Sequence, residues 1–282
     1  MWEAMHAGAK AAGDEAGLRI YWNAPTREDD VERQIALVEK AIEDKDAGLV
    51  LAPAQYLALV GPVREALSAH IPTVVIRSPL PIPAGQGLSY VLNNENEMGT
   101  IAAMRIGSIL HGEGKVAILG LDPDISGIIL RSRGFEAALS TDFPGIAILE
   151  RPISSSSAAE FQQIAQEVIA SQPRLGAILA LNIAAAEGSW TAIMASGKSK
   201  DIKLVACGQE IDLMARVRHG TIDSVIVENA YNMGFRAVHL IAARRRGEPV
   251  PDRIEVSPVL VDKTNIDTPE IQRMLSMDWR RH

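Results

Sequence analysis

Amphipathic helical patterns alternate with short apolar runs along most of this 282-residue chain, and this alternation constrains the fold more than any other feature. Val31, Ile35, Val38 and Ile42 share one helical face, and a second such face lies within residues 161–169. The apolar runs are too short for helices and lack the alternation of a half-exposed sheet, so they predict parallel strands buried on both faces. The predicted strands are residues 18–21, 48–51, 73–76, 115–119, 145–149, 177–180, 203–206 and 224–227.

Alternation repeated this often predicts an α/β protein with two doubly wound parallel-sheet lobes and right-handed crossovers. A new set of strands begins at Lys115, after a helix that Asn94 is placed to cap, and residues 247–251 form a second linker. We therefore predict an N-terminal lobe of residues 1–93 plus 230–255 and a C-terminal lobe of residues 94–229 plus 256–282. The chain opens directly with a helical pattern, so we expect the first strand of the N-terminal lobe to be missing upstream of Met1.

Composition argues against several classes of protein. A net charge of -7 does not suit a duplex-binding surface, so we expect no nucleic-acid partner. No apolar run reaches the roughly 18 residues of a membrane span, and the amino terminus shows no export signal. The chain has a single cysteine, Cys207, so it cannot form an internal disulfide, and we expect this thiol to be buried and inert. The six histidines are scattered without the spacing of metal ligands, so we expect no metal site and no cofactor.

The residues that follow each predicted strand are the candidates for a site, because ligands of open parallel sheets bind beyond the carboxyl ends of the strands. They are residues 52–55, 77–79, 120–122, 182, 208–210 and 228–229. These positions supply hydrogen-bonding and charged groups without a recognisable pair of nucleophile and base, and motifs such as Gly-x-Ser-x-Gly or His-Glu-x-x-His are absent from the sequence. The pattern predicts binding, with no catalytic residue.

Several segments, taken in order, carry a family resemblance: residues 1–9, 27–35, 48–53, 71–76, 131–135, Asn182 and 233–235. Together they resemble the type I periplasmic sugar-binding proteins of ABC transporters, the ribose-binding-protein-like family, which shares its fold with the effector domains of lac-repressor-type regulators. The resemblance implies two lobes that close on a small sugar, an ABC transporter permease as partner, and a periplasmic or extracytoplasmic location.

The resemblance also implies site residues. Trp2 is expected to stack on a sugar ring, Arg131 to donate to ligand oxygens, and Asn182 to bind hydroxyls, with Gln209 and Glu228 at further strand ends. Each has a structural alternative: Trp2 as a core aromatic, Arg131 in a surface salt bridge, and Asn182 as a helix cap. Trp22 and Trp190 lack positional support and are expected to serve in packing.

Three positions depart from the family pattern. Arg77 stands where the family usually places a ligand-binding aspartate, residues 205–208 lack a second carboxylate, and Glu228 replaces a common glutamine. Arg77 and Arg131 could form a clamp for a carboxylate or phosphate, which predicts an acidic or phosphorylated sugar. Alternatively, Glu228 neutralises Arg77 and the pocket has drifted away from binding. The sequence leaves both open.

The interpretation that these features favour is a solute-binding protein of an ABC-type importer that takes a small sugar or sugar-like, possibly acidic, ligand. A competing interpretation is the effector domain of a lac-repressor-type regulator, although the chain carries no helix-turn-helix headpiece ahead of this fold. An enzyme on the same scaffold finds no support in the residues at the strand ends.

Overall fold

The computed structural model describes residues 1–27, 30–149 and 157–275, and in this part of the chain helices and strands alternate as the sequence predicts. The helices are α1 (Trp2–Ala16), α2 (Val31–Glu43), α3 (Val60–Ser68), α4 (Glu95–Ile109), α5 (Ser126–Asp142), α6 (Ala158–Ser171), α7 (Ile183–Ser196), α8 (Ile211–His219), α9 (Ala230–Arg245) and α10 (Pro269–Leu275). The strands are β1 (Leu49–Leu51), β2 (Thr73–Ile76), β3 (Leu88–Asn93), β4 (Glu113–Leu119), β5 (Gly145–Ile148), β6 (Ala177–Ala180), β7 (Lys203–Cys207), β8 (Ser224–Val227), β9 (Arg253–Val256) and β10 (Val259–Asp262). The predicted α/β class with parallel sheets is confirmed.

The chain divides into two compact units. Unit 1 contains Met1–Asn93 and Asn229–Val256 together with residues from 273 onward, and unit 2 contains Asn94–Glu228 and Ser257–Gln272. Asn229 belongs with unit 1 because its side chain caps α9, accepting from the Asn232 backbone N–H at 3.0 Å. Val256 also belongs there because it ends β9 and pairs with Asn93. The predicted lobe ranges differ from this division at those two residues and after residue 272, and their last part, 276–282, lies outside the described residues.

Unit 1 is built on a parallel sheet with the strand order β1-β2-β3-β9. One face of the sheet, including Val74 and Val91, packs against α1 and α9. The other face, including Val75 and Leu92, packs against α2 and α3. Burial on both faces explains why β2 and β3 read as continuous apolar runs.

The strand predicted at residues 18–21 is wrong. These residues follow the left-handed Gly17 that ends α1, and they form no ladder with any described strand. Leu18 and Ile20 instead pack against Ala9 and Ala12 of α1 and approach Val50 of β1. Their apolar character therefore reflects side-chain burial beside a helix, which a hydropathy pattern alone does not distinguish from a place in a sheet.

Unit 2 is built on a larger sheet with the order β10-β8-β7-β6-β4-β5. All its neighbouring strands run parallel except the edge strand β10, which is antiparallel to β8. The side of the sheet covered by α4 and α5 holds a large buried cluster, which includes Phe135, Ile118 and Leu179.

In each unit, two helices come into close backbone contact at a pair of glycines, one on each helix. In unit 1, a Cβ added at Gly8 of α1 would lie 2.0 Å from the Tyr231 carbonyl oxygen, and one at Gly234 of α9 would lie 2.1 Å from that of Met5. In unit 2, the same relation joins Gly99 of α4 to Arg131 at 2.0 Å, and Gly134 of α5 to Asn96 at 2.1 Å. Only glycine permits backbones to approach this closely, so the two helix pairs are fixed in position by the same device.

Candidate functional site

The carboxyl end of β2 presents Arg77 in an unusual backbone conformation. Its φ is +66°, in the left-handed region that a residue with a Cβ seldom adopts. The chain turns sharply there, because the Ser78 N–H donates to the Ile76 carbonyl at 2.8 Å while the Arg77 N–H still bonds to Val91 of β3 at 3.2 Å. This turn places Arg77 at the edge of the sheet where a ligand of a parallel sheet is expected.

Trp2 and Arg77 lie together in unit 1. The Arg77 guanidinium carbon is 5.1 Å from the centre of the Trp2 ring, which is cation–π geometry. Trp2 begins α1, and 38% of its surface is exposed, so it is not a core aromatic. The partly open indole supplies an apolar face, and the adjacent guanidinium supplies donors.

Arg131 of unit 2 forms an ion pair with the carboxylate of Glu95. Its Nε and Nη2 donate to Glu95 Oε2 at 3.0 and 2.6 Å, and its Nη1 donates to the Leu181 carbonyl. The side chains of Arg131 and Glu95 are 10% and 17% exposed, so the pair is buried and is not the surface salt bridge considered as an alternative. Burial opposes the charge of Arg131, but the carboxylates of Glu95 and Glu228 outweigh it, and the pKa of Arg131 is raised.

Cys207 lies beside this ion pair at the end of β7. Burial raises the pKa of the thiol to about 11, and the Arg131 guanidinium offsets part of the increase. A thiol with that pKa is almost fully protonated at neutral pH, and the thiolate is the reactive form. The geometry therefore agrees with the predicted inert thiol.

Asn182 acts as the helix cap that the sequence left as an alternative. Its Oδ1 accepts from the Ala185 N–H at 2.8 Å, and its Nδ2 donates to the Gly120 carbonyl at 3.1 Å. Gly120 has a φ of +89°, and a Cβ there would lie 2.9 Å from Asn182 Nδ2, so this contact depends on a glycine. Asn182 thus joins the ends of β4 and β6, which leaves fewer of its hydrogen-bonding positions for a ligand.

Gln209 and Glu228 follow β7 and β8 in unit 2. The Oε1 of Gln209 is buried and has no hydrogen-bond partner within residues 1–27, 30–149 and 157–275. Glu228 follows directly on β8 and lies close enough to Arg131 to act on its pKa. At this edge of unit 2, Arg131 is bonded to Glu95 and is also within electrostatic range of Glu228.

The other two tryptophans named in the sequence analysis, Trp22 and Trp190, each have a ring or cation neighbour. Trp22 stacks on His6 with a ring separation of 4.5 Å, and the Arg216 guanidinium carbon lies 3.9 Å from the Trp190 ring centre. Within the described residues, no group of three or more His, Cys, Asp or Glu side chains is placed to hold a metal ion. The described helices include none that is long and apolar enough to cross a membrane.

Sequence reasoning missed Glu95, the partner of Arg131. Glu95 begins α4 directly after Asn94, which caps the helix by accepting from the Glu97 N–H at 3.0 Å. An acidic residue in the first turn of a helix is usually explained by the helix dipole, and Glu95 occupies such a position. The pairing with Arg131, 36 residues away, has no local signal.

Comparison with known proteins gives consistent results. The family described as "Periplasmic binding protein domain" matches residues 1–249. A D-apiose import binding protein of Paraburkholderia graminis is 24% identical over 234 residues, covering 83% of this chain and 72% of that protein.

Two solved structures extend the comparison. The sugar-binding protein of a sugar ABC transporter from Bacillus halodurans superposes with a TM-score of 0.86 at 21% identity, covering 94% of both chains, and shows the same fold. An ABC transporter solute-binding protein from Agrobacterium vitis with bound D-fucose is 28% identical, with a TM-score of 0.74, covering 98% of this chain and 95% of that one.

Proposed function

This chain belongs to the periplasmic binding protein domain family, and from that premise we propose that it binds a small sugar or sugar-like ligand as the solute-binding component of an ABC-type importer. The similarity to a D-fucose-bound solute-binding protein over nearly the whole chain supports this proposal. The matching relatives favour it over the effector domain of a regulator, because they are described as import or sugar-binding proteins.

The observation that carries the proposal is the half-exposed Trp2 with Arg77 beside its ring. A sugar ring has an apolar face of C–H groups, which an indole can cover while neighbouring side chains bind the hydroxyls. An aromatic that served only the core of unit 1 would be buried, as Phe135 is in unit 2. Trp22 is equally exposed, so exposure alone does not mark a binding residue. We assign Trp2 to the ligand because it also begins α1 and lies beside Arg77 at the carboxyl end of β2.

The charges at the strand ends favour a neutral ligand over an anion. Arg131 is bonded to Glu95, with Glu228 close by, so its charge is already compensated. An arginine that is paired with a buried carboxylate cannot supply the second half of a two-arginine clamp without leaving that carboxylate unpaired, which is costly. We therefore propose that the ligand is a neutral sugar or polyol. Binding of an acidic sugar instead would overturn this proposal.

Two further parts of the proposal follow from the family. A binding protein of this class delivers its ligand to a permease, so we propose an ABC transporter permease as the protein partner. Delivery of this kind takes place outside the cytoplasm, so we propose a periplasmic or extracytoplasmic location. Pull-down from detergent-solubilised membranes of the native cells, with identification of any ABC permease that is retained, would test the first point, and fractionation of the same cells would test the second.

A thermal-shift panel on the purified chain tests the ligand. Neutral pentoses, hexoses and polyols form one group, and sugar acids and sugar phosphates form the other. A ligand present at a hundred times its Kd stabilises the folded state by about 2.7 kcal/mol, which corresponds to a shift of several degrees. We expect at least one neutral compound to give such a shift. Stabilisation by acids alone would replace the neutral ligand with an anion, and no shift with any compound would contradict sugar binding.

A further inference from the structure

Asn93, the last residue of β3, is a polar side chain in an apolar setting. It is only 8% exposed, and neither its amide nitrogen nor its amide oxygen has a hydrogen-bond partner in the part of the chain that the structure describes. The five residues before it in β3 are also buried. An amide can donate two hydrogen bonds and accept two, so all of this capacity is unused.

A buried amide without hydrogen-bond partners destabilises the folded state. A buried polar group without a partner costs about 1–3 kcal/mol, and Asn93 carries both a donor and an acceptor in this state. Ser89, a buried polar side chain on the same strand, avoids the cost: it donates to the Pro251 carbonyl at 3.0 Å and accepts from Arg244 at 2.7 Å. A leucine would fit the pattern of β3 at position 93 without this penalty, so the asparagine calls for a partner that the chain itself does not provide.

The placement of Asn93 indicates which partner. Side chains alternate along a strand, so Asn93 shares a sheet face with Val91, which packs with Ala4 and Met5 of α1. Helix α1 begins at Trp2, and the neighbouring β2 ends one residue before Arg77. Asn93, Trp2 and Arg77 therefore all lie at the carboxyl edge of the unit 1 sheet, on or beside the face that α1 covers.

We propose that Asn93 is a further ligand-contacting residue of unit 1, whose amide donates to one ligand hydroxyl and accepts from another. This inference rests on the proposed sugar-binding function and deepens it by adding a specificity-determining position. Two hydroxyls on adjacent ring carbons, one accepting and one donating, match an amide with its nitrogen and oxygen side by side. The ligand supplies the partners that Asn93 lacks, so ligand binding removes a cost that the free protein carries.

The test compares Asn93→Leu with the wild type in two measurements, unfolding of the free protein and calorimetric titration with the sugar that stabilises the wild type most. We expect the unfolding midpoint of free Asn93→Leu to stay equal or to rise by about 2–4 °C, because the unpaired amide is gone. We expect its affinity for the sugar to fall by about tenfold to a hundredfold. This combination of a stabler protein and a weaker complex is the signature of a binding residue.

A matched control is available in Ser189 of α7, whose buried hydroxyl also lacks a partner in the described structure but lies in the middle of a helix, away from any strand end. Ser189→Ala should preserve sugar affinity within a factor of about two. Asn93→Asp provides a second variant of nearly the same shape, which keeps an acceptor oxygen and loses the NH2 donors. If Asn93→Leu does not fold, a loss of affinity in Asn93→Asp still carries the test.

The outcomes separate this inference from the function on which it rests. A wild-type protein that binds no member of the panel contradicts the proposed function, and this inference falls with it. A wild type that binds a sugar, with Asn93→Leu and Asn93→Asp binding it equally well, overturns the role of Asn93 alone. In that case the amide is satisfied by an internal water and serves the fold.

Discussion

Both units have polar groups at the carboxyl edge of their sheets, but these groups differ in how many of their hydrogen-bonding positions are used within the protein. In unit 2, Arg131 is bonded to Glu95 and to the Leu181 carbonyl, and Asn182 is bonded to Gly120 and Ala185. In unit 1, Trp2 stays 38% exposed, and the Asn93 amide finds no partner in the residues that the structure covers. Gln209 Oε1 is an exception in unit 2, because it is buried without a partner among the described residues. Groups that are paired within a unit stabilise that unit, and groups without a partner are available to a ligand. Stability and ligand choice should therefore respond to different residues.

The largest effect is expected from Arg131→Met in unit 2. The change leaves the Glu95 carboxylate, which is 17% exposed, without its partner, and breaking a buried pair costs about 3–5 kcal/mol. Urea unfolding measures the loss. Arg218→Met provides the control, because the Arg218–Asp267 pair is exposed at 45% and 68%, and exposed pairs contribute about 0–1 kcal/mol. Equal losses of unfolding free energy in the two variants would show that the buried Arg131–Glu95 pair contributes no more to stability than an exposed pair does.

The glycine pairs test whether the two units share a scaffold despite their different edges. Gly8→Ala in unit 1 and Gly99→Ala in unit 2 each place a Cβ 2.0 Å from a carbonyl oxygen of the facing helix. Forcing helices apart in a packed core costs typically about 1–3 kcal/mol, so both variants should unfold at lower urea concentration. Gly61→Ala in α3 is the control, since its Cβ would meet no atom within 4 Å and alanine favours a helix. A loss of stability in only one of the two variants would show that the glycine contact is not equally important in both units.

Arg77→Asp should separate binding from stability in unit 1. Aspartate tolerates the left-handed backbone at this position better than most residues, so the free protein should change by less than about 1 kcal/mol. The affinity for the ligand that the wild type prefers should fall about tenfold or more, because a donor has become an acceptor. Arg77→Lys, which keeps the charge, should lose less. If Arg77→Asp binds the same ligand with unchanged affinity in titration calorimetry, Arg77 lies outside the site.

The smallest effect concerns Cys207, whose environment belongs to the paired edge of unit 2. With a pKa of about 11, only about 1% of the thiol is ionised at pH 9, and the residue is fully buried. A thiol-reactive probe at pH 8 should label the native protein at least about a hundred times more slowly than the urea-unfolded chain. Comparable labelling of both states would place the thiol in an open environment.

The sequence was most informative about the fold where both faces of a strand are buried. Strands β2, β6 and β8 occur at the residues predicted, because an apolar run between turn residues has few other uses. The pattern failed at residues 18–21, where the apolar side chains pack beside α1, and it missed β9, whose Arg253 and Glu255 alternate with apolar residues. Hydropathy reports the burial of side chains, and it does not report the pairing of backbones.

The candidate site was predictable in position and less so in role. The rule that ligands bind beyond the strand ends selected Arg77, Gln209 and Glu228, and the same rule applied to β3 would have selected Asn93. That Arg131 is bonded to Glu95 could not be predicted, because the partner lies 36 residues away. Whether a polar group at a strand end is paired depends on tertiary contacts, and this pairing separates a structural residue from a binding residue.

We propose above all that the carboxyl edge of unit 1, with Trp2, Arg77 and Asn93, recognises a neutral sugar. The most direct measurement is calorimetric titration of the wild type and of Trp2→Ala with the neutral sugar that gives the largest thermal shift. We predict saturable one-to-one binding by the wild type and a loss of at least about tenfold in Trp2→Ala. The titration is done at a temperature at which urea unfolding shows both proteins to be fully folded, because Trp2→Ala also removes the buried part of the indole. Equal affinities in the two proteins, or binding of sugar acids alone, would contradict this proposal.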